Sequence, residues 1–272
     1  METSAEFLTQ GLVYAGLLVK IMLLARLGRL GLVRRYPVLS VYLAFSLLRN
    51  IAYRYLVFTG LGLFGRHGAN ALLVYTQPVL WVLYPLILLE LYSRMLEEYP
   101  GVYRLGRMVL LGGLGSVTAL CLGITAVAEQ AGTAATDRYP FIAYMVLQDR
   151  AVFLGLSFLS LILLVFVSHY RLPVPRNVWI LLACFGSYFF WSALVGAFRW
   201  HFGEVFRPAR NLANALVYSL ALAGAAWRLS TAGEEETSRA RGLAGAASRE
   251  LEAALALQLR SFNETLVRVL KQ

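Results

Sequence analysis

Residues 7–35 read FLTQGLVYAGLLVKIMLLARLGRLGLVRR. The apolar run over 7–25 has the length needed to cross a bilayer's hydrocarbon core, about 20 residues at 1.5 Å each. Arg26, Arg29, Arg34 and Arg35 close it at once. Ahead of it stand Glu2 and Glu6 instead of a basic stretch, and no small-residue cleavage pattern follows. The run is therefore expected to persist as an anchor and not to be removed as a secretory signal.

Working outward, comparable runs recur at about 38–58, 70–93, 105–128, 148–168, 177–198 and 206–228. Seven spans predict an all-α integral membrane protein, a seven-transmembrane-helix bundle over 1–230, with a cytoplasmic tail over 231–272. Composition agrees: of 272 residues 59% are hydrophobic and 15% charged, and mean hydropathy is +0.63. A soluble fold has about 25% charged residues and could not hide so much apolar surface.

The net charge of +10 is distributed as a topology signal. From Gly233 onward six acids balance six bases, so the whole excess lies in the membrane part. Counted by alternating loops, the first, third and fifth loops plus the tail hold 16 Lys and Arg, and the intervening loops hold 6. The basic side is the cytoplasmic side, which puts the N-terminus outside and the C-terminus in the cytoplasm. The expected location is the cell (plasma) membrane, of the bacterial inner-membrane kind. A nucleic-acid partner is not expected. Lys20 is expected to snorkel to the inner interface.

Pro78 and Pro85 sit seven residues apart inside the third span and are expected to bend it. Pro37, Pro173, Pro175 and Pro208 stand near span starts, where a missing amide hydrogen costs little. In the fourth span Gly112, Gly113, Gly115 and Ser116, with Ala119 and Gly123, form a small-residue stretch expected to pack closely within the bundle.

After Arg228 the composition turns to Ser, Thr, Gly, Ala and charge. Leu255, Leu259, Phe262, Leu266 and Val269 then recur at intervals of 4, 3, 4 and 3, with Ser248 as an N-cap, predicting a cytoplasmic amphipathic helix over about 248–271. Its apolar face is expected to meet the bundle, the bilayer, a second copy or a partner helix.

Catalytic signatures are absent: there is no HExxH, GxSxG, GxxxxGK[ST] or EF-hand pattern. Topology separates the histidines, with His67 and His201 outside and His169 inside, so no three-histidine metal site is expected. Cys121 and Cys184 each lie in an apolar span with no CxxC pair. No enzyme activity, metal or cofactor is predicted. Rhodopsins and G-protein-coupled receptors share the span count but not the motifs. Residues 206–228 lack a lysine, and the third span ends Glu90-Leu91-Tyr92-Ser93-Arg94 where the receptors carry Asp-Arg-Tyr.

The positive signal is a set of polar stripes. Tyr42, Ser46, Arg49, Asn50 and Tyr53 share one face of the second span; Asn70, Gln77 and Tyr84 recur in the third; Arg207, Asn211, Asn214 and Tyr218 mark the seventh. Lipid offers no hydrogen bonds, so these faces must turn inward. Depth counting puts Arg49, Gln77 and Asn214 at one level, about 10–13 Å below the outer ends of their spans. The acids look badly placed to compensate Arg49, with Glu90 near the inner surface and Asp149 at the outer mouth of the fifth span.

These positions predict an outer-half pocket lined by Arg49, Asn50, Tyr53, Gln77, Asn211 and Asn214. Arg54, Asp149, Arg207 and Arg210 would stand at its mouth, and an anionic or zwitterionic small ligand would occupy it. The expected function is a ligand-responsive, receptor-like membrane protein signalling to a cytoplasmic or membrane partner. The alternatives are a small-solute transporter with a 3+1+3 helix plan, or a non-catalytic subunit of a membrane complex.

Overall fold

A computed structural model describes residues 2–59, 62–96, 140–170, 174–202 and 207–233, together with positions 107, 108, 111, 112, 115, 257, 258, 260, 261, 264 and 268. Some side chains within these helices, including those of Asn70, Arg150, Arg207, Arg210 and Asn211, are outside the description. The elements are α1 (Glu2–Arg29), a 3-10 turn (Leu32–Arg34), α2 (Pro37–Thr59), α3 (Gly62–Met95), α4 (Pro140–Tyr170), α5 (Arg176–Phe202) and α6 (Arg207–Arg228). Among the described residues there is no strand.

Four helices are long and apolar enough to cross a membrane, through Gly11–Arg29, Ala71–Met95, Ala151–Ser168 and Arg176–Gly196. At 23 and 22 residues α2 and α6 also have spanning length. Their hydropathy is held down by the polar residues already singled out, Arg49, Asn50 and Arg54 on α2 and Arg207, Arg210, Asn211 and Asn214 on α6. α3 runs as one helix through both Pro78 and Pro85.

Side-chain pairings fix the directions of the helices. α1 and α6 run parallel: Gly16 faces Ser219, Lys20 lies over the Tyr218 ring, and Arg26 donates to the Leu229 carbonyl at the shared end. A Cβ on Gly16 would stand 3.1 Å from Ser219 Oγ, so the glycine lets these two helices close up. α2 runs against α3, with Val38 beside Glu90 and Arg49 beside Gln77. α3 and α4 run parallel, since Gln77 and Trp81 meet Asp149 while Tyr84 meets Phe153. α5 runs against α6, with Asn177 beside Ser230 and Ser192 beside Asn214.

These directions gather Arg26, Arg29, Arg34, Arg35, Arg94, Arg176 and Arg228 at one end of the bundle, the basic end. That end is closed by helix-terminus contacts. Glu90 accepts from the first free amides of α2, Val38 N at 2.9 Å and Leu39 N at 3.0 Å. Asn177 donates to the Ser230 carbonyl at 2.7 Å and accepts from Ser230 N at 3.2 Å, and Arg94 donates to the Arg35 carbonyl. Gly31 turns the chain between α1 and α2 at φ 68°, a conformation a Cβ would strain.

Behind this end lies the core. Leu23, Leu27, Leu39, Leu43, Ile87, Leu88, Leu91, Leu181, Phe189, Ala225 and Leu229 are fully buried. On the outside, Leu18, Leu48, Phe58, Leu154, Phe158 and Leu220 are exposed. An apolar exterior around an apolar core is what a lipid-facing bundle requires.

The predicted fourth span is described only at 107, 108, 111, 112 and 115, which are helical and exposed. Among the described residues, nothing lies within Cβ reach of Gly112 or Gly115. Of the tail helix, positions 257, 258, 260, 261, 264 and 268 are helical and exposed. Leu255, Leu259, Phe262, Leu266 and Val269, expected to form its apolar face, lie outside the described residues.

Candidate functional site

The second-span stripe does turn inward, and it meets more charge than expected. Arg49 Nη2 donates to Gln77 Oε1 at 2.7 Å and to the Leu73 carbonyl at 3.3 Å. Gln77 Nε2 donates in turn to Asp149 Oδ1 at 2.7 Å, and Trp81 Nε1 donates to the same oxygen. The amide can serve only one way round, because a guanidinium only donates and a carboxylate only accepts. Arg49, Gln77 and Asp149 therefore form a relay across α2, α3 and α4.

This corrects the expectation that Arg49 has no carboxylate at its level. Counting from the start of the apolar run put Asp149 at the mouth of its span. The helix in fact begins at Pro140, nine residues earlier, which is about 13 Å of rise. Asp149 therefore projects into the bundle one side chain away from Arg49.

Lys20 also departs from expectation. It is only 5% exposed and does not reach the interface. Its Nζ donates to Ser46 Oγ at 2.8 Å and lies 5.0 Å from the centroid of the Tyr218 ring. A lysine on an isolated helix would snorkel. Here the lysine faces the seam between α2 and α6, where a hydroxyl and a π face are nearer than water.

Beneath the relay, toward the basic end, an aromatic layer spans the bundle. The Tyr42 and Tyr218 hydroxyls are 2.8 Å apart. Tyr42 packs on Tyr84 at 5.3 Å between centroids, Tyr84 on Phe153 and Phe189 at 5.5 Å, and Tyr188 on Tyr218 at 4.9 Å. With Phe185 these side chains come from α2 through α6, and α1 adds Lys20. The crevice bounded by Cys184, Phe185, Tyr188, Tyr218, Ala221 and Leu222 is too narrow to admit a water molecule. The relay and Lys20 thus lie on one side of the layer, and the buried leucines of the core on the other.

The remaining expected site residues divide. Asn214 accepts from Ser192 Oγ at 3.3 Å, bringing the α6 stripe to α5. Asn50 and Tyr53 are half-buried on α2 and stand apart from the relay. The Arg54 guanidinium stacks 4.9 Å from the ring of Tyr14, which faces outward on α1. The side chains of Arg207, Arg210 and Asn211 lie outside the described residues.

Three contributors were missed. Lys20 carries a legible signal: with Gly16, Leu23 and Leu27 it marks one face of the first span. Trp81 lies one turn from Gln77, and Tyr188 one turn from Ser192, in spans so apolar that neither stood out. The chain matches no known protein family, no curated protein and no solved structure.

Proposed function

We propose that the chain is a seven-helix membrane protein, with its N-terminus outside and its C-terminus in the cytoplasm. It binds an anionic or zwitterionic small ligand in its outer half and signals occupancy to a cytoplasmic or membrane partner. The seventh crossing is supported by direction: α3 and α4 are parallel, so the chain between them must traverse the bundle once more. The apolar run at 105–128 supplies the length. The orientation follows from the seven arginines at the basic end.

The observation that carries the functional reading is the relay of Arg49, Gln77 and Asp149 above an aromatic layer and a buried apolar core. Ionisable groups inside membrane spans are expensive, by roughly 3 kcal/mol for an arginine at mid-span, and their usual role is functional. A polar site backed by a layer of packed aromatic rings suits a receptor better than an open path. The basic end ties α5 and α1 to residues 229 and 230, immediately before the tail departs, which provides a route from the bundle to a partner.

Topology is tested with single cysteines in a background where Cys121 and Cys184 are Ala. Cysteines at Thr3, Gly65 and Thr133 are expected to react with an impermeant thiol reagent in intact cells, and those at Gly28 and Thr231 only after permeabilisation. Labelling of Gly28 in sealed cells overturns the orientation. Function is tested by screening anionic and zwitterionic metabolites for thermal stabilisation of the protein in nanodiscs, followed by uptake assays in proteoliposomes. The expected ligand stabilises the wild type, not Arg49→Gln, and is not taken up. Accumulation of the bound compound inside the vesicles makes the protein a transporter instead.

A further inference from the structure

We propose that Lys20 and Arg49 together seat one singly charged anion between α1 and α2, either a halide ion or the carboxylate of a small ligand. This deepens the ligand-binding reading above and rests on it.

The two cations are close neighbours. Lys20 Nζ donates to Ser46 Oγ at 2.8 Å, and Arg49 follows Ser46 by three residues on the same face of α2, a rise of about 4.5 Å. The two groups lie within each other's electrostatic reach. Water cannot dilute this repulsion at Lys20, which is 5% exposed.

Compensation within the polar layer is incomplete. Asp149 is the one acid in the polar layer among the described residues, and Gln77 stands between it and Arg49. Its Oδ1 is already committed to Gln77 and Trp81. Lys20 and Arg49 against Asp149 leave an excess of one positive charge. A buried charge without a partner is destabilising, and a monoanion removes the excess whereas a dianion would reverse it.

Donors are waiting as well. Arg49 Nε is buried and has no hydrogen-bond partner among the described residues, although Nη2 of the same guanidinium donates twice. A buried donor left unmade marks a place where a further acceptor belongs. The ammonium of Lys20 has three donors, of which Ser46 takes one. The Tyr42 and Tyr218 hydroxyls, 2.8 Å apart, belong to the same cluster, since Lys20 Nζ lies 5.0 Å from the Tyr218 ring.

The test is anion-dependent unfolding of the full-length protein in an uncharged detergent. Sodium gluconate, too bulky for this seat, is replaced by chloride or by acetate at constant ionic strength. Wild type is expected to gain about 5 °C at saturating anion. Lys20→Met removes the excess cation, so it should unfold at a higher temperature than wild type in gluconate and gain nothing from either anion. Arg49→Gln should also lose the gain, and Lys20→Arg should keep it.

A response to chloride alone identifies a halide site; a response to acetate identifies a carboxylate site. Absence of any gain in wild type, or an undiminished gain in Lys20→Met, overturns the shared seat. A gain lost in Arg49→Gln yet kept in Lys20→Met removes Lys20 alone and leaves a ligand site at Arg49. Should Arg49→Gln not fold, the contrast between Lys20→Met and Lys20→Arg decides. The receptor reading fails separately, if the nanodisc screen returns no ligand while the anion response stands.

Discussion

Asp149→Ala is expected to cost about 3 kcal/mol of unfolding free energy, from about 1–3 kcal/mol for each buried donor it leaves unsatisfied. The deletion orphans two donors, Gln77 Nε2 and Trp81 Nε1, and leaves Arg49 without a carboxylate at its level. Asp149→Asn keeps an acceptor for those donors but not the charge, so its loss should be about half as large. The measurement is denaturant unfolding in mixed micelles with Trp fluorescence as the probe. A double-mutant cycle with Arg49→Gln should show a coupling of about 1 kcal/mol or more, since each removal makes the other cheaper. If Asp149→Ala unfolds within about 0.5 kcal/mol of wild type, the relay does not help hold α2, α3 and α4 together.

Glu90→Ala should be comparably damaging at the opposite end of the bundle. Both carboxylate oxygens of Glu90 accept backbone amides from the first turn of α2, and the side chain is 9% exposed. Its removal strands two part-buried or buried N–H groups, at about 1–3 kcal/mol for each unsatisfied donor, and withdraws a negative charge from the positive end of a helix dipole. A loss of about 3 kcal/mol follows. Glu90→Gln retains one acceptor and should lose about 1 kcal/mol. Hydrogen exchange locates the effect: the amides of Val38 and Leu39 should lose protection first, while those around Gln77 stay protected. Uniform loss of protection would mean that Glu90 does not act as a local cap.

The helical, membrane-spanning character of the chain was legible because it rests on run length and on the placement of Arg, both of which survive any error in packing. Four helices carry that signal in full. α2 and α6 carry it only in part, because the residues that make them interesting, Arg49 and Asn214 among them, are the ones that lower their hydropathy. Arg49 and Gln77 were found together because depth along a helix is simple arithmetic when its start is known.

Asp149 shows where that arithmetic gives way. Gln148, Asp149 and Arg150 interrupt the apolar run, so the run marks where lipid-like composition begins and not where the helix begins. Lys20 was misjudged for another reason. Snorkelling is what a lysine does when its own helix is considered alone, whereas Ser46 and Tyr218 reach it from 26 and 198 residues away. The aromatic layer was equally hidden, since Tyr84, Tyr188 and Tyr218 meet only through tertiary packing. No periodicity within a single span could have shown them as one surface.

The relay also imposes an order on biogenesis. Arg49 and Asp149 are separated by 100 residues of chain, which a ribosome takes about 5–20 s to add. For that interval α2 and α3 are made and threaded while the acid that completes their polar contact is still being synthesised. An arginine that enters lipid alone is held back by its hydration. The hairpin of α2 and α3 therefore lacks its carboxylate partner until α4 has been made.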